Sequence, residues 1–142
     1  MPVNLEIEIH LQKWLRSQSR VYALIGNRIF PDSPPQNTIL PYIVYTRISG
    51  NRWRVLRSAI NVAQARIQLD CFGATSKEAK SLGCVIQDVI ETFFRGEMDE
   101  IFVQSIYVSD IRDDSFKPID ASDRMEYKRS LDVIIHWELE KE

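Results

Sequence analysis

Within residues 62–72, positions 63–71 alternate without a break. Ala63, Ala65, Ile67, Leu69 and Cys71 take one parity; Gln64, Arg66, Gln68 and Asp70 take the other. A period of two sends these sets to opposite faces of an extended chain. The segment therefore reads as a strand with one face on a core and one face wet. Residues 127–139 repeat the signature. Tyr127, Arg129, Leu131, Val133, Ile135, Trp137 and Leu139 alternate with Lys128, Ser130, Asp132, His136 and Glu138, and Ile134 is the exception on the wet side. A sheet built from such strands has one dry face that helices must cover.

The covering helices are legible. Ile7, Leu11, Trp14 and Leu15 form an apolar stripe behind Asn4, a capping residue type. Val21, Leu24 and Ile25 make a short further turn, stopped by Gly26-Asn27. Thr75 and Glu78 have the spacing of a capping box, followed by Ala79, Leu82, Ile86, Val89, Ile90 and Phe93 on one stripe, with Gly96 as its expected end. Gly83, inside that helix, costs about 1 kcal/mol relative to Ala and points to a close approach to the sheet. Residues 42–48 and 101–108 read as further strands, rich in β-branched and aromatic residues. The Pro-rich segment 32–41 reads as a loop. The order is helix, strand, strand, helix, strand, strand. It implies an α+β fold: an antiparallel sheet of four or more strands, two main helices packed on one face, and a long β-hairpin between the first two strands. Residues 1–142 are expected to form one domain.

A chain of 142 residues buries roughly 68–70% of its unfolded surface, enough to fold without staples. The N-terminus "MPVNLEIEIH" is acidic where a signal peptide is basic. No apolar run approaches the roughly 18 residues of a membrane span, so no membrane partner is expected, and the cytoplasm is the expected compartment when the protein is made. Cys71 and Cys84 match no metal spacing and read as free thiols in the core.

Catalytic patterns are missing from the sequence. Its five glycines form neither a P-loop nor a dinucleotide motif. His10 and His136 have no Cys, Asp or Glu at ligand spacing within their own elements. Asp110, Asp113, Asp114, Asp120 and Asp123 lack the alternation and glycine of an EF-hand. No Ser or Cys sits in a nucleophile elbow. The expectation is a protein that is not an enzyme, with no cofactor and no metal.

The distribution of charge is the sharper signal. Arg47, Arg52, Arg54 and Arg57 surround Trp53 with no acid in residues 49–61. Between Glu97 and Glu126 stand nine acids against three bases, Arg112, Lys117 and Arg124. The acids in the expected loop after residue 108 include Asp110, Asp113 and Asp114. Arginines with an aromatic ring suit nucleic acid, but a net charge of −2 lacks the basic footprint of a dedicated nucleic-acid module. Two complementary patches in different places favour head-to-tail contact between copies, which closes into a ring or opens into a filament. Arg and Trp are also enriched at interface hot spots. The expected subunit contacts are therefore Arg52, Trp53, Arg54 and Arg57 against Asp110, Asp113 and Asp114.

Four segments carry a family resemblance: "IGNRIFP" (25–31), "LPYIVYTRISG" (40–50), "ARIQLDCFGATSKEAKSLG" (65–83) and "YKRSLDVIIHW" (127–137). In this order, behind an amphipathic helix, they resemble the tail completion proteins of long-tailed bacteriophages, also called tail terminators or tail-to-head joining proteins. Similar proteins occur in prophages and gene transfer agents. The resemblance implies a small α+β domain that assembles as a ring, usually of six subunits, on the head-proximal end of the tail tube. Such a ring stops tube polymerisation and presents a surface to the head connector, with DNA passing through its lumen. It implies a virion location and no catalytic residues. The charged segments 51–61 and 110–123 lie outside the resembling motifs, so their assignment as contacts rests on charge alone.

Overall fold

The computed structural model describes residues 6–54, 61–93, 95–116 and 125–138. Helices α1 (Ile7–Ser17) and α2 (Ser19–Ile25) lead into strands β1 (Ile29–Pro31), β2 (Tyr42–Arg54) and β3 (Asn61–Gly73). Helix α3 (Ser76–Thr92) follows, then β4 (Gly96–Met98), β5 (Ile101–Phe116) and β6 (Glu126–Glu138). The strands form one six-stranded sheet in the order β1-β2-β3-β6-β5-β4. The mixed α+β class is as the sequence implies. All pairs are antiparallel except β1 with β2, which run parallel from Ile29↔Ile43 to Pro31↔Tyr45.

The dry face is the one read from the alternation. Ala63, Ala65, Ile67, Leu69 and Cys71 of β3 join Leu131, Val133, Ile135 and Trp137 of β6 in one buried cluster. Ile7, Leu11 and Leu15 of α1, Val21 and Ile25 of α2, and Leu82, Ile86, Val89 and Ile90 of α3 belong to the same cluster. Helix α3 packs on β3, β6 and β5, while α1 reaches β2 and β4. Trp14 meets the edge of Phe93 at 5.2 Å between ring centroids.

The helix ends have local causes. Thr75 Oγ1 accepts from the Glu78 N–H at 3.0 Å. Glu78 in turn accepts from the Ala74 N–H at 2.8 Å, one residue before the cap. The helix ends at Thr92 with Phe93 as its C-cap, not at Gly96, which instead opens β4 at φ 143°. Gly26 closes α2 at φ 57°. The first helix starts at Ile7 with Glu6 as its N-cap and no side-chain cap bond; Asn4 lies outside the described residues.

Three further expectations are corrected. The first strand runs to Arg54 rather than residue 48. The third continues to Phe116 rather than 108, so Asp110, Asp113 and Asp114 lie in a strand and not in a loop. The short strands β1 and β4 are additional. Cys71 is buried as expected, but Cys84 is exposed. It lies two positions from both Leu82 and Ile86, off the buried stripe of α3.

Gly83 lets α3 approach the sheet. A methyl group there would overlap the side-chain methylenes of Arg129 on β6. That arginine cannot easily move, because Asp113 Oδ1 and Oδ2 hold its Nε and Nη2 at 2.7 and 3.1 Å. Gly83→Ala should therefore destabilise the protein by about 1–2 kcal/mol, despite the better helix propensity of Ala. In an Arg129→Ala background the same change should become neutral or stabilise by up to about 1 kcal/mol. A double-mutant cycle by denaturant unfolding reads the difference. Equal effects in both backgrounds would remove Arg129 as the reason for the glycine.

Candidate subunit-contact surfaces

The sheet holds the basic and acidic segments on opposite margins. In β2, Arg52, Trp53 and Arg54 stand opposite Ala63, Val62 and Asn61 of β3. Arg57 lies outside the described residues. In β5, Asp110, Asp113 and Asp114 stand opposite Asp132, Arg129 and Lys128 of β6. Strands β3 and β6 separate β2 from β5, so three inter-strand steps, about 14 Å, lie between the margins. The two segments also sit at different heights. Arg52 is level with Val103, through Ala63 and Trp137, whereas Asp110 is level with Thr46, through Asp132 and Gln68. The fold thus places neither group of expected contact residues against the other within one chain.

The aspartates have distinct surroundings. Asp113 lies on the helix side, where its hydrogen bonds from Arg129 pull its carboxyl below the usual range. The guanidinium of Arg129 also approaches the Cys84 sulfur at 3.5 Å. Asp114 accepts from the Ser115 N–H at 2.9 Å. Asp110 accepts from Arg112 Nη1 at 2.6 Å on the other face of the sheet.

That other face carries a polar network which sequence reading misses. Asp132 is 6% exposed although no helix among the described residues covers it. Arg112 grips it with Nη1 and Nη2, each at 3.0 Å, and Arg66 adds a bond at 3.1 Å. Arg112 Nη2 also donates to Gln68 Oε1 at 3.3 Å. Gln68 donates to Asp70 Oδ1 at 2.9 Å, and the Ser130 hydroxyl donates to the same oxygen at 2.6 Å. The long arginine stems supply the cover that a helix supplies elsewhere. Hydrogen bonds from Arg112, followed by its charge and that of Arg66, hold the Asp132 carboxyl below the ordinary range against the opposing effect of burial. The available signal was that Arg66 and Asp132 both occupy wet-face positions of the two clearest strands.

The histidines tie elements together. His10 Nδ1 lies 2.9 Å from Asp99 Oδ2, linking α1 to the turn between β4 and β5. His136 Nδ1 lies 3.0 Å from the Ser105 hydroxyl, and burial lowers its pKa. Among the described residues no three His, Cys, Asp or Glu side chains converge as metal ligands. No described helix is long and apolar enough to cross a membrane.

The described charged side chains pair along and across the sheet, Arg112 and Arg66 on Asp132 and Arg129 on Asp113, as in a structural module. The chain belongs to the tail completion protein gp17 family, whose model matches residues 9–117, from α1 into β5. It is accordingly a structural protein of the phage tail and a virion component. A chain from the virion of a native gene transfer agent particle shares its fold, with a TM-score of 0.62 and 14% sequence identity. That likeness covers 95% of this chain and 99% of the other. No curated protein matches it.

Proposed function

We propose that this protein caps the head-proximal end of the tail tube as a ring, ends tube polymerisation and offers the surface on which the head connector docks. Six subunits is the number the resemblance implies, with DNA passing through the lumen. A tube grows because each added layer presents the surface that accepts the next. A terminator matches that surface on one face and fails to reproduce it on the other. The observation that carries the ring is the separation of charge. Arginines stand on one margin of the sheet and aspartates on the opposite margin, so complementary patches meet only between copies. Particles produced without the protein should carry overlong or headless tails. Absence of tail tubes would make it a tube subunit instead, and tails of normal length joined to heads would overturn the proposal.

In that ring Arg52, Trp53, Arg54 and Arg57 of one subunit face Asp110, Asp113 and Asp114 of the next. Asp113 is already held by Arg129 and Asp110 by Arg112, which leaves Asp114 as the principal acceptor. Exposed ion pairs contribute about 0–1 kcal/mol each; they select partner and register, while apolar contact supplies most of the affinity. Changing both Arg54 and Arg57 to Glu should lower incorporation into particles about tenfold, the equivalent of about 1.4 kcal/mol. Unchanged incorporation, quantified by mass spectrometry of purified particles, would remove these residues from the contact.

A further inference from the structure

The outward face of helix α3 carries charge that nothing within the chain explains. Lys77, Lys80, Cys84, Asp88 and Glu91 are exposed. Their spacings of three and four line them up in one stripe along the helix. The bases occupy its first half and the acids its second. Lys80 and Asp88 are eight residues apart, about 12 Å along the axis, so the two signs do not meet within the helix. Lys77 is the second residue of α3 and Glu91 the last but one. That order opposes the helix dipole, which favours acids at the start and bases at the end. A face meant only for water gains nothing from it. Among the described residues Lys77 and Lys80 form no ion pair. Asp88 accepts from Arg20 through Oδ2 alone, and Glu91 from Gln87 through Oε1 alone. Shallow hollows of about 430 and 570 Å³ flank Cys84, one bordered by Arg20, Asp88 and Glu91, the other by Lys77 and Lys80.

We infer that this face receives the α3 helix of a second copy, antiparallel, across a two-fold axis that passes beside Cys84. The stripe is self-complementary about that residue. Lys77 and Glu91 lie seven positions to either side of it, and Lys80 and Asp88 lie four. Turning a copy end for end sets Lys77 against Glu91, Lys80 against Asp88, and Cys84 against its counterpart. Each ion pair then occurs twice, as a two-fold contact requires. Parallel pairing in register would set like charges together. Antiparallel pairing also sets the two helix dipoles head to tail. Arg20 keeps its bond to Asp88 Oδ2, while the partner's Lys80 takes the open Oδ1. Cys84, small and central, lets the axes approach to about 8–10 Å. One helix face falls short of the roughly 1,200–2,000 Å² of a permanent interface, so the pair is weak, reversible and sensitive to salt. A two-fold contact closes at two copies. It is therefore distinct from the head-to-tail contact proposed for the ring, and neither depends on the other.

Thiol cross-linking of the purified full chain tests this pairing. Diamide takes two electrons and two protons from two Cys84 thiols, leaving one disulfide and the corresponding hydrazine. Cys71 is buried and Cys84 exposed, so the cross-link should vanish in Cys84→Ser. Lys77→Glu with Lys80→Glu makes the stripe wholly acidic; Asp88→Lys with Glu91→Lys makes it wholly basic. Each double variant alone should cross-link at least about tenfold more slowly than the parent, because like charges then face each other. An equimolar mixture of the two should regain the parent's rate as a mixed dimer, which also shows that both variants are folded. Raising the salt to about 1 M, where charges act over only about 3 Å, should slow the parent towards the variants. Equal rates for the parent and both variants would overturn the pairing, as would a mixture no faster than its components. A cross-link that survives Cys84→Ser would overturn the central position of that residue.

Discussion

Replacing Trp137 with Ala should destabilise the protein by about 3–5 kcal/mol, the usual loss for a large aromatic deleted from a packed core. The indole is fully buried in the middle of the sheet, level with Ala63 on β3 and Val103 on β5. The alanines at 63 and 65 matter to this estimate. They are small residues beside a large one, the complementarity through which a core reaches close packing. With the indole gone, neighbouring alanines have no side chain to extend into the space, so the cavity persists. For a domain of ordinary stability, about 5–15 kcal/mol in all, the variant should melt roughly 10–20 °C lower. A loss below about 1 kcal/mol in denaturant unfolding would mean that the helices do not clamp this part of the sheet.

Asp132→Ala should have the second-largest effect, about 1.5–3 kcal/mol. The carboxylate is the common acceptor for Arg112 and Arg66. Both guanidinium groups are more than 40% exposed, so after the substitution water takes up part of their solvation, and the loss stays below that of a fully buried pair. The pH dependence fixes the cause. A carboxyl whose folded pKa is depressed contributes stability that is present above its unfolded value, near 3.9. That contribution is lost as the pH falls through the folded value. The gap between the parent protein and the variant should therefore be constant near neutrality and shrink below about pH 4. A gap independent of pH would assign the effect to packing rather than to the ion network.

The sequence revealed those parts of the fold whose pattern persisted over several repeats. Strands β3 and β6 and helix α3 were readable because nine or more residues kept one period with at most one exception. Strands β1 and β4, three residues each, are too short to show any. The extension of β5 was hidden by composition: aspartate is depleted in strands, and Asp110 and Asp113 sit on opposite faces, so no apolar alternation marks the segment. What holds it in the sheet is its backbone ladder with β6 and the cross-strand pairs of Arg112 with Asp132 and Arg129 with Asp113. Cys84 was misread from its residue type, although its offset from the Leu82 and Ile86 stripe already placed it outward. For the proposed contact surface, charge marked the two segments. Only the register shows that they occupy opposite margins, and that relation depends on which strands neighbour each other.

The most direct measurement is averaged electron microscopy of the head–tail junction in intact particles. The account predicts a closed ring of this fold, one layer thick, between the last tube layer and the head connector. It also predicts that the arginines around Trp53 of each subunit lie against Asp114 of its neighbour. Finding the fold repeated along the tail shaft, or at the junction with both of these segments turned to solvent, would contradict it.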